Sequence, residues 1–340
     1  MLSILIPVFN YHMEALVSEL SMQCQALGEP YEILLLDDGS MPEFKASNRQ
    51  LPHRFEQVRY LENDKNVGRS ASRNRLINEA SGKWMWFLDC DGRTFVNNSL
   101  LQTFWTQKNE NTLLSGGRVY AEKAPDDQRK HLHWCWGSKR ELLDAKRRMA
   151  DPVNYFLSNN FLVSRKLIEQ VTFNTRLSGY GYEDTLFAAR CVAEQFRVLH
   201  IENPVLHEGL ESTEHFISKI EESLHNLLRL EKICSEEGIA NPLNSKLYRS
   251  YKLLRRFPKS IAALFVNVLK KRLLNGMVNL FWFDVYRLAY LIHSSRNPGN
   301  AHSLLSACSL IAEAEAVSSS FLYFSSEVAF MCTICFYSGM

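Results

Sequence analysis

Short apolar runs, each stopped by a polar or acidic loop, alternate through the first 90 residues with stretches that carry apolar residues at helical spacing. Leu2 to Val8 ends at Pro7-Val8-Phe9-Asn10, Glu32 to Leu36 at Asp37-Asp38-Gly39-Ser40, and Trp84 to Leu88 at Asp89-Cys90-Asp91-Gly92, with a weaker run from Val58 to Leu61. Residues 11–27 and 69–81 read as helices, the second starting after Asn66-Val67-Gly68 with Ser70 and Ser72 near its start. This alternation predicts an α/β fold with a mixed, mostly parallel sheet flanked by helices. Ligands of such sheets bind beyond the carboxyl ends of the strands, so a site is expected in the acidic loops.

Farther along, strands are expected at Leu113 to Tyr120, Asn160 to Ser164 and Arg197 to Ile201, completing the same sheet around a helix from about Glu183 to Gln195. A charge-rich helix from Thr213 to Glu237 is stopped by Gly238 and Asn241-Pro242, which sets an expected domain 1–237. In the following segment, 238–296, nine Lys or Arg and no acidic residue fall between Lys246 and Arg272, interleaved with Leu, Phe, Ile and Val. Such a basic amphipathic segment suggests peripheral contact with an anionic membrane; a solvated face on a helical hairpin is the structural alternative. The last stretch, 297–340, has no Lys or Arg and an apolar finish, and its order is not legible.

Composition narrows the function classes. With 46% apolar and 22% charged residues the chain has the makings of a folded core, and 39 basic against 37 acidic residues give no overall field for nucleic acid. Eight irregularly spaced cysteines and no basic leader suggest reduced thiols in a cytoplasm, and no run of about 20 uncharged apolar residues predicts a membrane span.

The Gly-x-Gly-x-x-Gly of a dinucleotide site is missing between the first strand and its helix. Carboxylates stand at the strand ends instead, where they can accept hydrogen bonds from a ribose or a base N–H. Asp89 and Asp91, one residue apart after a buried strand, make a hard-oxygen pair suited to Mg²⁺ or Mn²⁺, with a loop turn or helix cap as the alternative. His131, His133 and Cys135 alternate as they would on one strand face, without a fourth ligand nearby. Cys332 and Cys335 form a lone pair in the apolar tail, read as packing.

Taken together, Ile6-Pro7-Val8-Phe9-Asn10, Leu36-Asp37-Asp38-Gly39-Ser40, the stretch Asn66 to Asn74 containing Gly68, Arg69 and Arg73, and Phe87-Leu88-Asp89-Cys90-Asp91 resemble the family 2 glycosyltransferases of the GT-A fold, in their bacterial, non-processive form. Gly179-Tyr180-Gly181-Tyr182-Glu183-Asp184 resembles that family's glutamate-aspartate motif, and His207 sits where many members place a metal-binding histidine. The resemblance covers roughly residues 1–235. It implies an inverting, metal-dependent hexosyltransferase that moves one sugar from a nucleotide-diphosphate donor, UDP-linked by the family's habit, to a glycan or lipid-linked acceptor in cell-surface polysaccharide synthesis. Pro7, Asp37, Asp38, Asn66, Gly68, Arg69, Arg73 and Asp89 would then bind the donor; Asp91 and His207, with Asp89 in support, would hold Mn²⁺ or Mg²⁺. Asp184 would be the catalytic base, and Glu183, Trp134, Trp136 and Tyr180 would meet the acceptor. For each arginine an ordinary salt bridge is the alternative, and for each tryptophan packing. Gly68 is expected to let the helix start approach the sheet or ligand closely. The Gln-x-x-Arg-Trp of processive synthases is absent. A retaining transferase, a nucleotidyltransferase, and a catalytically inactive glycan-binding or scaffold module on the same fold are the competing readings, and the expected location is cytoplasmic, peripheral on the inner membrane face.

Overall fold

A computed structural model describes residues 1–94 and 99–295; the tail 297–340, with Cys332 and Cys335, lies outside the described residues. The chain divides into two compact units, Met1–Pro242 and Leu243–Met340.

The first unit opens with β1 (Leu2–Val8), α1 (Glu14–Leu27), β2 (Tyr31–Asp37), α2 (Pro42–Asn48), α3 (Leu51–Arg54), β3 (Val58–Glu62), α4 (Arg69–Glu79) and β4 (Trp84–Leu88). It continues through β5 (Gly92–Arg93), α5 (Leu100–Gln107), β6 (Thr112–Ser115), β7 (Arg118–Val119), α6 (His131–Trp136), α7 (Ala145–Arg148) and β8 (Asn160–Ser164). It closes with α8 (Arg165–Gln170), α9 (Glu183–Ala193), β9 (Arg197–His200), β10 (Val205–His207) and α10 (Thr213–Glu237). The second unit holds α11 (Lys246–Leu254), α12 (Lys259–Leu274) and α13 (Leu280–Ser294).

Seven strands form the main sheet in the order β3-β2-β1-β4-β8-β6-β9, parallel except for β8, which runs against both its neighbours. Alternation along the strands explains the layers. Ile4, Ile6 and Val8 of β1 face Leu16 and Leu20 of α1, while Leu5, with Leu34, Met85 and Phe87, faces Leu76 of α4 and Phe187 of α9. Buried on both faces, the central strands read as near-continuous apolar runs, which is why they were legible.

Two expected elements differ. Leu113 to Tyr120 is not one strand: it breaks at Gly116 and Gly117 into β6, in the main sheet, and β7, which joins β5 and β10 in a small second sheet. Gly117 takes φ +80°, and a Cβ on Gly116 would lie 2.4 Å from the Asn203 carbonyl, so the chain turns tightly where no side chain fits. His131 to Trp136 is a helix, not a strand, followed by a wide turn at Gly137 to Glu141; its apolar and polar residues fit either period over so short a span.

Candidate active site

The parallel strands deliver their loops to one end of the sheet. In the loop after β2, Asp37 Oδ1 accepts from the backbone N–H groups of Gly39 and Ser40, so this carboxylate shapes its own turn. Gly39 at φ +81° lies so close to Asn66 that a Cβ would sit 2.6 Å from the Asn66 nitrogen. Asp38 reaches across: its carboxylate accepts from Val67 N–H, Gly68 N–H and the Asn63 amide at 2.7–2.9 Å, holding the start of α4. Acidic charge at a helix N-terminus also suits the helix dipole. Gly68 itself is required for its angle, φ +88°, rather than for close packing, since among the described residues no atom beyond its chain neighbours lies within 4 Å of where its Cβ would be. Pro7 pairs with Leu36 in the strand register beside these loops.

Arg69 and Arg73, four residues apart on α4, part company. The Arg69 side chain remains 41% exposed, stacked 4.7 Å over the Tyr180 ring. Arg73 is buried: Nη2 lies 3.0 Å from Asp89 Oδ1, Nη1 3.8 Å from Glu183 Oε1, and the guanidinium packs over Phe173. Arg73 thus bridges two carboxylates, with Asp89 turned to it.

Across the same end, Asp91 and His207 face each other. The Glu208 N–H donates to the Asp91 carbonyl and ties the loop after β4 to the end of β10, leaving His207 Nδ1 3.5 Å from Asp91 Oδ1. Gly209 makes room: a Cβ there would fall 1.8 Å from Asp91 Oδ2. Burial pushes the Asp91 carboxyl up, but His207, Arg69 and Arg118 outweigh it and hold Asp91 well below the usual carboxylate range. An anionic carboxylate beside an imidazole, in a niche that only glycine leaves open, fits a divalent cation such as Mn²⁺ or Mg²⁺. No group of three ligating side chains occurs among the described residues. Cys90 lies in the turn closed by Gly92 N–H on the Asp89 carbonyl.

The base candidate sits at the N-terminus of α9. Burial first, and the neighbouring Glu183 second, raise the Asp184 carboxyl to about 7. Its loop is built on strain that glycine relieves, with Gly179 at φ +79° and Gly181 at φ +92°, and Tyr182 at φ +69°. The buried amide of Asn226 on α10 donates to the carbonyls of Ser178, Tyr180 and Gly181, and Glu222 accepts from Tyr180 N–H. Sequence reasoning missed both; the signal for Asn226 was a polar residue on the face of α10 that otherwise packs inward, while Glu222 stands on its exposed side and carried none.

A second missed group is the ion pair of Arg118 with Glu141 at 2.7 Å, joined by the Tyr120 hydroxyl and by Trp136 Nε1 at 3.0 Å. Trp136 is thus pinned, and Trp134 Nε1 donates to the Ala121 carbonyl. The helix carries His131 and His133 to different partners. His131 meets the Pro125 carbonyl; His133 stacks on Phe216 and accepts from Glu211 N–H, with burial first and His207 second lowering it to about 3.

The model of the family described as Glycosyl transferase family 2 matches residues 3–172. The chain belongs to this family. It is also 22% identical over 194 residues to an uncharacterized glycosyltransferase from Methanocaldococcus jannaschii, covering 55% of this chain and 63% of that relative's length. Among solved structures, the mannosyltransferase PcManGT from Pyrobaculum calidifontis, in complex with GDP-Man and Mn²⁺, is 14% identical with a TM-score of 0.49, covering 99% of this chain and 85% of its own. TarS 1–349 from S. aureus is 14% identical with a TM-score of 0.47, covering 88% and 92%. For a member of this family, the mixed sheet is that of the GT-A fold, with a helical region C-terminal to it.

Proposed function

We propose that this chain is an inverting glycosyltransferase that moves a single sugar from a nucleotide-diphosphate donor, UDP-linked in our reading, to a hydroxyl of a glycan or lipid-linked acceptor in cell-surface polysaccharide synthesis. The observation that carries it is Asp184, a half-buried carboxyl at the N-terminus of α9 that desolvation and the adjacent Glu183 raise to about 7, at the same end of the sheet as an anionic Asp91. A base poised near the working pH takes a proton most effectively. Asp184 accepts the acceptor hydroxyl's proton as that oxygen bonds to the anomeric carbon; the bond from that carbon to the diphosphate oxygen breaks, and the nucleoside diphosphate leaves with the electron pair from the opposite face. Asp91 and His207 would hold a divalent cation, which would supply charge neutralisation at the departing diphosphate.

Other residues prepare the site. Arg69, exposed above Tyr180, is placed to meet donor phosphate, and Tyr180 with Trp134 and Trp136 offers aromatic faces to sugar. Pro7, Asp37, Asn66 and Gly68 border the nucleoside side, where Asp38 keeps the loops in register. Arg73 acts as a positioning residue, its charge shared by Asp89 and Glu183. The basic segment 246–272 would keep the chain on an anionic membrane face, where a lipid-linked acceptor is found.

The test is release of nucleoside diphosphate from a panel of nucleotide sugars with Mn²⁺ or Mg²⁺. Metal-requiring turnover of one donor, lost in Asp91→Asn, supports the reading and names the donor. Donor binding without turnover in any condition, and a biological output unchanged by Asp184→Asn, would establish the inactive glycan-binding module instead.

A further inference from the structure

Among the described residues, exposed large aliphatic side chains are denser in the second unit than in the first. Leu253, Leu264, Val268, Leu274 and Val278 are between 41% and 70% exposed, all within one stretch of α11, α12 and the turn after it. On α12 the buried residues Ala262, Val266, Leu269 and Leu273 form one stripe, and the helix packs against α13. At 100° per residue Leu264, Val268 and Lys271 fall on the opposite side, so α12 is apolar inward and apolar with cations outward. On α11 the most exposed leucine, Leu253, shares a face with Arg249 at i, i+4 and is followed by the exposed Arg255 and Arg256.

Charge decides what such a surface can meet. No Asp or Glu occurs from Gly238 to Phe283, while nine Lys or Arg fall between 246 and 272. Two copies placed face to face would oppose like charges, which costs association energy. Nucleic acid would use the cations but leave the aliphatic residues without a partner, since stacking requires aromatic faces. Both halves are used by an anionic lipid surface, where acyl boundary and phosphate lie a few ångströms apart. A surface depression of ≈330 Å³ lined by Tyr251, Arg255, Arg256 and Ser295 adds a place for one head group, because two guanidinium forks and a hydroxyl suit a phosphate. No helix among the described residues is long and apolar enough to cross a membrane.

We infer that this surface docks on a bilayer leaflet bearing anionic phospholipid, with Leu253, Leu264 and Val268 at the acyl boundary and Arg255 and Arg256 on a lipid phosphate. The inference rests on the membrane-side placement proposed for the enzyme, and it specifies the residues that make the contact. Its test is flotation of the full chain with phosphatidylcholine vesicles, and with vesicles in which one third of the lipid is phosphatidylglycerol. Binding is expected with phosphatidylglycerol alone, to weaken as salt is raised, and to fall by about fivefold for each basic residue removed. Arg255→Gln with Arg256→Gln should therefore lower partition more than tenfold, and Leu253→Ser with Leu264→Ser and Val268→Ser should abolish the part that survives high salt.

Equal binding to both vesicles, no binding, or wild-type binding by both variants would overturn the inference. So would a dimer in solution that the triple Ser variant dissolves while vesicles are ignored, or a face that becomes lipid-competent only when residues 297–340 are removed. Donor hydrolysis in the same preparations separates the two readings, because these residues lie outside the candidate active site: vesicle binding can fail while turnover stands, and the reverse.

Discussion

Asp91 and Asp184 are both carboxylates at the same end of one sheet, and their surroundings drive them in opposite directions. Asp91, facing His207 with Arg69 and Arg118 near, stays anionic far into acid; Asp184, pressed by burial and by Glu183, holds its proton up to about 7. Burial acts upward on both, so the difference lies in the sign of the neighbours. Two groups whose environments separate them this way suit different tasks, one a permanent anion for a cation and the other a proton acceptor. Arg73 is the link between the two sides, since it touches Asp89 in the Asp91 loop and Glu183 beside Asp184.

The comparison breaks most directly at the base. Asp184→Asn should lower sugar transfer by about 10²- to 10⁴-fold while leaving donor binding near wild type, measured by transfer rate and donor titration; a transfer rate within a few-fold of wild type would refute the base assignment. Gly209→Ala attacks the other carboxylate without removing it, because the added Cβ must displace Asp91. A loss of about 10- to 100-fold in Mn²⁺ affinity is expected, by analogy with other residues that orient ligands, read by metal titration; unchanged affinity would place the ion elsewhere.

Arg73→Met leaves the buried Glu183 and the partly exposed Asp89 without their shared cation and should destabilise the fold by about 1–3 kcal/mol, measured by denaturant unfolding, with Arg73→Lys recovering part of it. Glu183→Gln sharpens the pH side. In the wild type, transfer should rise about tenfold per pH unit up to about 7 and then level, as Asp184 loses its proton. Removing the Glu183 charge should move that limb to lower pH; an unmoved limb would mean another group sets it.

The smallest effect is on stability. An acid whose folded value is raised binds more protons folded than unfolded between its ordinary value and about 7, so stability declines as pH rises through that window. Asp184→Asn should consequently melt a few degrees higher than wild type at pH 7.5 and equal to it near pH 4, as thermal scans at the two pH values would show.

Much of this was written locally. Apolar runs buried on both faces gave β1, β2 and β4 close to their limits, and Gly238 with Asn241-Pro242 marked the end of α10. The strand-end loops, the Asp-Cys-Asp turn and the Glu-Asp pair could be found because each is contiguous. Where the reading failed, competing periods or distant partners were responsible. Six residues from His131 to Trp136 satisfy strand and helix alike, and the break at Gly116 and Gly117 is forced by Asn203 and Arg148, far away in sequence.

The sequence by itself thus determined the sheet, the family and the list of acidic residues that meet at its end, because strand burial and turn chemistry act over a few neighbours. Only the tertiary structure decided which of those residues do what. Arg73 and Arg69 share a face of one helix, yet one is sealed between Asp89 and Glu183 while the other, also 3.9 Å from Glu183, keeps 41% of its side chain exposed. Charge and proton affinity depend on groups within a few ångströms, and His207, Arg118, Glu141 and Asn226 reach those distances only after the chain has closed on itself.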